Sequence, residues 1–97
     1  MAYRVAWSAE ARADLRRIAE FVAQDSPTYA STIVDAVLAR VARLGEFPRM
    51  GRVVPELGDE SFRELLVSSY RVMYRLEADS VVIAAVIHSK RSLGLPE

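Results

Sequence analysis

The sequence predicts an α+β fold of order β-α-α-β-β-β, in which an N-terminal helical hairpin packs on one face of a small, mainly antiparallel sheet. Three observations carry this. Two N-terminal runs repeat their apolar residues at helical spacing, a Ser-Pro pair divides them almost without a loop, and the segment from Phe62 to His88 reads as β-prone stretches joined by short turns. Helices gathered at one end of the chain and strands at the other are the pattern of an α+β architecture.

The elements follow in order. Tyr3 to Trp7 alternates Tyr3, Val5 and Trp7 with Arg4 and Ala6, as a strand with one buried face should. Ser8 offers an N-cap hydroxyl, Glu10 stands in the first turn, and Ala11, Leu15, Ile18 and Val22 form the apolar stripe of a first helix. At Asp25-Ser26-Pro27 that helix must stop, because Pro27 disfavours helical geometry in Ser26, while the same pair supplies N-cap and first residue for a second helix. Ala30, Ile33, Val34, Val37, Leu38, Val41 and Leu44 give the second helix a wide apolar stripe ending near Gly45, before Pro48.

Glu46 to Ser61 has no period and holds two prolines and three glycines counted from its Gly45 boundary, so it reads as a long connection carrying Arg49 and Arg52. Then FRELLV, a Ser68-Ser69 turn, YRVMYRLE, an Ala78-Asp79 turn and SVVIAAVIH predict an antiparallel meander. In the middle strand Tyr70, Val72, Tyr74 and Leu76 point one way, and Arg71, Met73 and Arg75 the other. One face is expected to pack and the other to present arginines. Strict alternation in the last strand puts Val81, Ile83 and Ile87 on one face and Val82, Ala84, Val86 and His88 on the other; being apolar on both, it is expected to be paired on both edges. Ser89 to Glu97 is too short and irregular to assign.

The chain's 97 residues suit a single domain, 1–97. Thirteen Lys plus Arg balance thirteen Asp plus Glu, so no overall field draws the chain to nucleic acid or membrane. Lys90 is the only lysine, and the remaining cations are arginines, which clamp anions but do not give up their protons near neutrality. The absence of cysteine excludes disulfides, thiolate metal sites and a cysteine nucleophile. There is no long apolar run and no signal-peptide pattern, so no membrane partner and a cytoplasmic location are expected.

No phosphate-cradling glycine loop, HExxH zinc motif or GxSxG elbow is present, and one histidine without cysteine makes an ordinary zinc site a poor fit; no metal and no cofactor are expected. What remains is a set of arginines at the meander: Arg63, Arg71, Arg75 and Arg91. Their spacing permits convergence on one anion. It equally permits solvated face and edge charges with Glu64 and Glu77 as neighbours. His88 is the one conventional candidate for general acid or base, and the alternative for it is a hydrogen-bonded structural residue at a strand end. Tyr70 and Tyr74 suit core packing better than base stacking, since they share a face with Val72 and Leu76.

The segments WSAEARADLRRIAEFVAQDSP, RLGEFPRMGR, PELGDESFRELLVSSYRVMYR and VVIAAVIHSKR, taken in order, resemble the RelE/ParE superfamily of type II toxins. The carriers are FP followed by GR, then REL, YRVMYR and a closing HxxR made by His88 and Arg91. The resemblance implies a RelE/ParE-like fold and two alternative activities. RelE-like members are ribosome-dependent mRNA endoribonucleases, for which Arg71 would bind phosphate, with His88 and Arg91 as further catalytic candidates and Arg63 in support. A related ribonuclease pattern places a glutamate before the sheet, loosely matched by Glu56, and an aromatic after its histidine; here no aromatic follows Tyr74. ParE-like members inhibit DNA gyrase. RELLV, YRVMYR and HxxR resemble these more closely, and Arg63, Arg71, Arg75 and Arg91 would then bind protein partners. Either branch implies a cognate antitoxin, hetero-oligomeric with the toxin, whose C-terminal segment folds across it by helix-in-groove and strand-addition contacts. A degenerate, non-toxic binding module is the third alternative.

Overall fold

The computed structural model describes residues 2–93. It contains β1 (Arg4–Trp7), α1 (Ala9–Ala23), α2 (Pro27–Ala42) followed by a 3-10 turn over Arg43–Gly45, β2 (Arg52–Val53), β3 (Phe62–Val67), β4 (Tyr70–Leu76) and β5 (Ser80–His88). The strands form one sheet in the order β1-β5-β4-β3-β2, with β1 parallel to β5 and every other pair antiparallel.

Local chemistry explains the element boundaries. The Ser8 hydroxyl accepts from the Ala11 amide at 3.0 Å and the Ser26 hydroxyl from the Tyr29 amide at 3.1 Å, each satisfying a donor that the first helical turn leaves free. Pro27 stands at the start of α2, where its missing N–H costs nothing. Ser68, with φ of 54°, takes the left-handed conformation that a tight two-residue hairpin requires between the paired residues Val67 and Tyr70.

The core lies between the hairpin and one sheet face. Ala11, Ile33, Val37, Val41 and Leu44 pack against Leu65, Val67, Val72, Tyr74, Val81, Ile83 and Val86. The second helix stripe is narrower than its sequence suggests: Leu38 is exposed and Val34 half-buried, since the sheet is met only by the Ile33, Val37 and Val41 side of α2.

Two further differences from the sequence reading have clear causes. The connection before β3 contains β2, two residues long and paired Arg52 with Glu64 and Val53 with Arg63, too short to leave a periodic trace. In the β4–β5 pairing the register shifts between Met73 and Tyr74 of β4: Met73 lies opposite Ala85, while Tyr74 lies opposite Ile83. This bulge leaves Ala84 unmatched and reverses the alternation, so Val86 joins Val81 and Ile83 in the core instead of facing away from them. β1 pairs with β5 only as far as Ile83, and α1 takes over the edge beyond it. The Ser8 hydroxyl donates to the Ala84 carbonyl at 3.3 Å, and Asp14 accepts from the Val86 amide at 3.0 Å. The sequence-based domain 1–97 and the irregular stretch Ser89 to Glu97 extend past the described residues at Met1 and at 94–97.

Candidate functional site

The sheet face turned away from the helices carries a chain of alternating charges. Arg71 of β4 donates from Nη1 and Nη2 to the two carboxylate oxygens of Glu56 at 2.7 and 2.6 Å, a bidentate pair. Its Nε and Nη2 reach Glu64 Oε1 of β3 at 2.8 and 2.7 Å, and Nη1 also donates to the Arg91 carbonyl at 2.9 Å. Each guanidinium N–H therefore has an acceptor. Glu64 passes the chain on, its Oε2 accepting from Arg52 Nε and Nη2 at 2.6 Å each. The Leu93 amide donates to Glu56 Oε2 at 3.3 Å.

These groups are largely out of water. The Glu64 side chain is 0% exposed, that of Arg71 6% and that of Glu56 20%. Ionised groups survive such burial only when paired, and here two cations meet two anions. The hydrogen bonds from Arg71 outweigh desolvation and hold the Glu56 carboxyl down at about 2. The same bonds from Glu56, with Glu64 in support, raise Arg71 above its ordinary range despite burial.

The expectation of a sheet face presenting arginines is therefore corrected. Strand alternation does place Arg71 on the face opposite Tyr70, but Glu56 from the β2–β3 connection and residues 91–93 fold over it and bury it. The four candidate arginines do not converge on one anion. Arg63, the partner of Tyr74 across β3 and β4, donates to the carbonyls of Glu60 at 3.0 Å, Gly51 at 2.9 Å and Arg49 at 3.4 Å. Arg75 donates to Glu77 at 3.0 Å at the sheet rim. The side chain of Arg91 is exposed at the end of β5.

His88 lies on the other side of the sheet from Arg71. It is opposite Tyr70 in the β4–β5 register, and the two rings meet edge to face with centroids 5.6 Å apart. Together with Arg17, Phe21 and Arg91 they line a shallow hollow of about 300 Å³ against α1. His88 Nδ1 accepts from the Lys90 amide at 3.2 Å, which places the proton of the neutral ring on Nε2. Arg71 and His88 thus do not share a site, and among the described residues no group of three or more His, Asp or Glu side chains could hold a metal ion. No helix among them is long and apolar enough to cross a membrane.

Two features had little sequence signal. Tyr74 is wholly buried, as its strand face predicts, yet its hydroxyl donates to the Pro48 carbonyl at 2.8 Å and accepts from the Gly51 amide at 3.0 Å, pinning the FPRMGR loop to the sheet. Burial raises the Tyr74 phenol above its usual value. Gly51 is required there, because a methyl group would lie 2.6 Å from the Glu64 carbonyl and 2.7 Å from the Tyr74 hydroxyl. The second feature is a groove of about 430 Å³ between α1 and α2, floored by Trp7, Leu15, Ala19, Val34 and Leu38, with Arg12 and Arg16 beside it.

A helical hairpin packed on a five-stranded mixed sheet is the fold this chain shares with the small toxins of the RelE/ParE superfamily. Within it, the chain belongs to the ParE toxin family: the family described as the ParE toxin of the type II toxin-antitoxin system parDE matches residues 5–93. The chain is 32% identical over 83 residues to Toxin RelE3 of Caulobacter vibrioides, covering 81% of this chain and 86% of that one. Its fold is similar to a chain of the chromosomal ParDE toxin-antitoxin system from P. aeruginosa, with a TM-score of 0.75 at 20% identity, covering 92% and 98% of the two chains. A chain of the RelBE2 toxin-antitoxin complex from Mycobacterium tuberculosis is similar with a TM-score of 0.60 at 23% identity, covering 91% and 99%.

Proposed function

We propose that this toxin acts by inhibiting DNA gyrase and is neutralised by direct binding of a cognate antitoxin, with which it forms a hetero-oligomer in the cytoplasm. The observation that carries the reading is the engagement of Arg71. A phosphate-binding arginine in a ribonuclease needs free donors beside an acid and a base, whereas this one spends its donors on Glu56, Glu64 and a carbonyl, with His88 on the opposite face. A protein inhibitor has no such need. On this reading Arg71 is the internal tie of the binding surface, and Arg63, Arg75 and Arg91 act toward partners at its rim.

The antitoxin reading is supported by the α1–α2 groove, whose apolar floor and flanking arginines suit an amphipathic, acidic helix. Of the chains that match in structure, the two described above come from toxin-antitoxin systems. The second reading, ribosome-dependent cleavage of mRNA, is favoured by the name of the RelE3 relative and would require Arg71 to exchange Glu56 for a phosphate, with His88 and Arg91 acting apart from it. Purified protein is expected to inhibit gyrase supercoiling, with relief by antitoxin. Absence of that inhibition, together with A-site mRNA cleavage on induction, would replace the first reading with the second.

A further inference from the structure

The loop between the 3-10 turn and β2 combines a tightly held backbone with exposed apolar side chains. Phe47 is 46% and Met50 37% exposed. Beneath them the backbone is fixed at successive points. The Phe47 amide donates to the Arg43 carbonyl at 2.9 Å and the Met50 amide to Phe47 at 3.2 Å, while Tyr74 holds Pro48 and Gly51, and Arg63 holds Gly51 and Arg49. A buried tyrosine and a strand arginine thus serve to hold one loop in shape, whereas loops ordinarily shed apolar groups and stay loosely tied.

Charge narrows what this tip fits. Arg43 lies over the Phe47 ring, 5.6 Å from its centroid, and Arg49, exposed, lines the same patch. Among the described residues neither guanidinium is in an ion pair. An aromatic and a thioether beside two arginines outside any ion pair form a compact apolar patch whose rim carries two cations against one carboxylate, Glu46, and aromatic, Met and Arg side chains are the types enriched at protein interfaces. A second copy of this chain is a poor occupant, since its own apolar groove is flanked by Arg12 and Arg16 and would oppose cation with cation.

We propose that Phe47, Met50, Arg43 and Arg49 form a preorganised docking surface for the protein this toxin acts on, a partner presenting an apolar recess edged by carboxylates, and that this surface is separate from the antitoxin groove. The proposal rests on the reading of the chain as a toxin with a protein target. Holding the loop in its bound shape beforehand removes the ordering cost of association, which is what the Tyr74 and Arg63 contacts supply.

The test uses the full chain, induced in a bacterial host and also purified with its antitoxin. A Phe47→Ala/Met50→Ala double variant and, separately, Arg49→Glu are expected to raise survival on induction by at least about tenfold, the loss of one interface hot spot. Antitoxin affinity and melting temperature are expected to stay at the wild-type level. Arg49→Glu changes only an exposed side chain, so it remains informative if the double variant folds poorly. Growth arrest undiminished in both would overturn the proposal. So would sensitivity to the arginine change alone with the apolar change silent, since that is the signature of a nucleic-acid contact. The gyrase reading fails independently, when wild-type protein arrests growth without inhibiting supercoiling.

Discussion

Arg71 grips Glu56 through both terminal nitrogens, at 2.7 and 2.6 Å, across fifteen residues of chain that the meander and its preceding loop bring together. The same guanidinium lies 2.7 Å from the fully buried Glu64, so one side chain compensates the negative charge of a loop and of a strand. Removing it leaves Glu64 supported only by Arg52, whose own side chain is 56% exposed. Breaking one partner of a buried pair costs about 3–5 kcal/mol, because an uncompensated charge stays behind. Arg71→Ala is therefore expected to lower unfolding free energy by that order in urea titration. A replacement of Arg71 and Glu64 together by apolar residues is expected to recover much of the loss. A loss below about 1 kcal/mol in the single variant, the range of exposed ion pairs, would mean that the chain of charges is solvated.

Glu56 makes the same network sensitive to acid. Its folded-state pKa is depressed from 4.5 to about 2, so the folded state binds the proton less readily than the unfolded chain. The stabilisation from its charge is thus complete above about pH 4.5 and fades as pH falls toward 2. A Glu56→Gln variant, which keeps the shape but has no charge to titrate, is expected to melt below wild type at pH 6, with the gap closing on acidification. A gap constant through that window in paired thermal scans would show that the charge of Glu56 contributes nothing.

The Tyr74 hydroxyl has a different task, tying Pro48 and Gly51 to the sheet. Tyr74→Phe keeps the buried ring but leaves an amide and a carbonyl without their partner, at a cost of about 1–3 kcal/mol. Faster hydrogen exchange is expected at the Gly51 amide, with little change at amides of α1. Equal protection of Gly51 in both proteins would assign the bond no role in holding the loop.

Much of this fold is written in local chemistry. Ser8, Ser26 and Pro27 announce the two helix starts, because capping needs only the residues at hand, and the alternation of YRVMYRL correctly separates Tyr70, Val72 and Tyr74 from Arg71. The bulge at Ala84 has no such trace: a single inserted residue changes neither composition nor propensity, yet it moves Val86 into the core. The same limit applies at the site. Parity places Arg71 on the open face, but whether that face is bare depends on Glu56 and on residues 91–93, which arrive from distant sequence. Glu64 and Glu77, read as neighbours of the arginines, are indeed their partners, at Arg71 and Arg75. The Arg63 and Tyr74 grip on the FPRMGR loop was hidden because its acceptors are mainly backbone carbonyls, which every residue carries.

The groove between α1 and α2 gives the last expectation. Leu38 is 46% exposed on its floor, whereas its neighbour Val37 is wholly buried in the core, so the two positions separate recognition from folding within one helix. An antitoxin helix seated there would bury Leu38 against its own apolar stripe and place acidic side chains near Arg12 and Arg16. Leu38→Glu introduces a carboxylate that this helix would desolvate and repel, while leaving it in water in the free toxin. The expected result is an affinity for antitoxin weakened by at least about tenfold with melting temperature nearly unchanged, as calorimetric titration and thermal scans would measure. Val37→Ala is the complementary variant: it should lower stability by opening a cavity while sparing affinity in whatever fraction is folded. Unchanged antitoxin affinity in Leu38→Glu would remove the groove from the antitoxin interface.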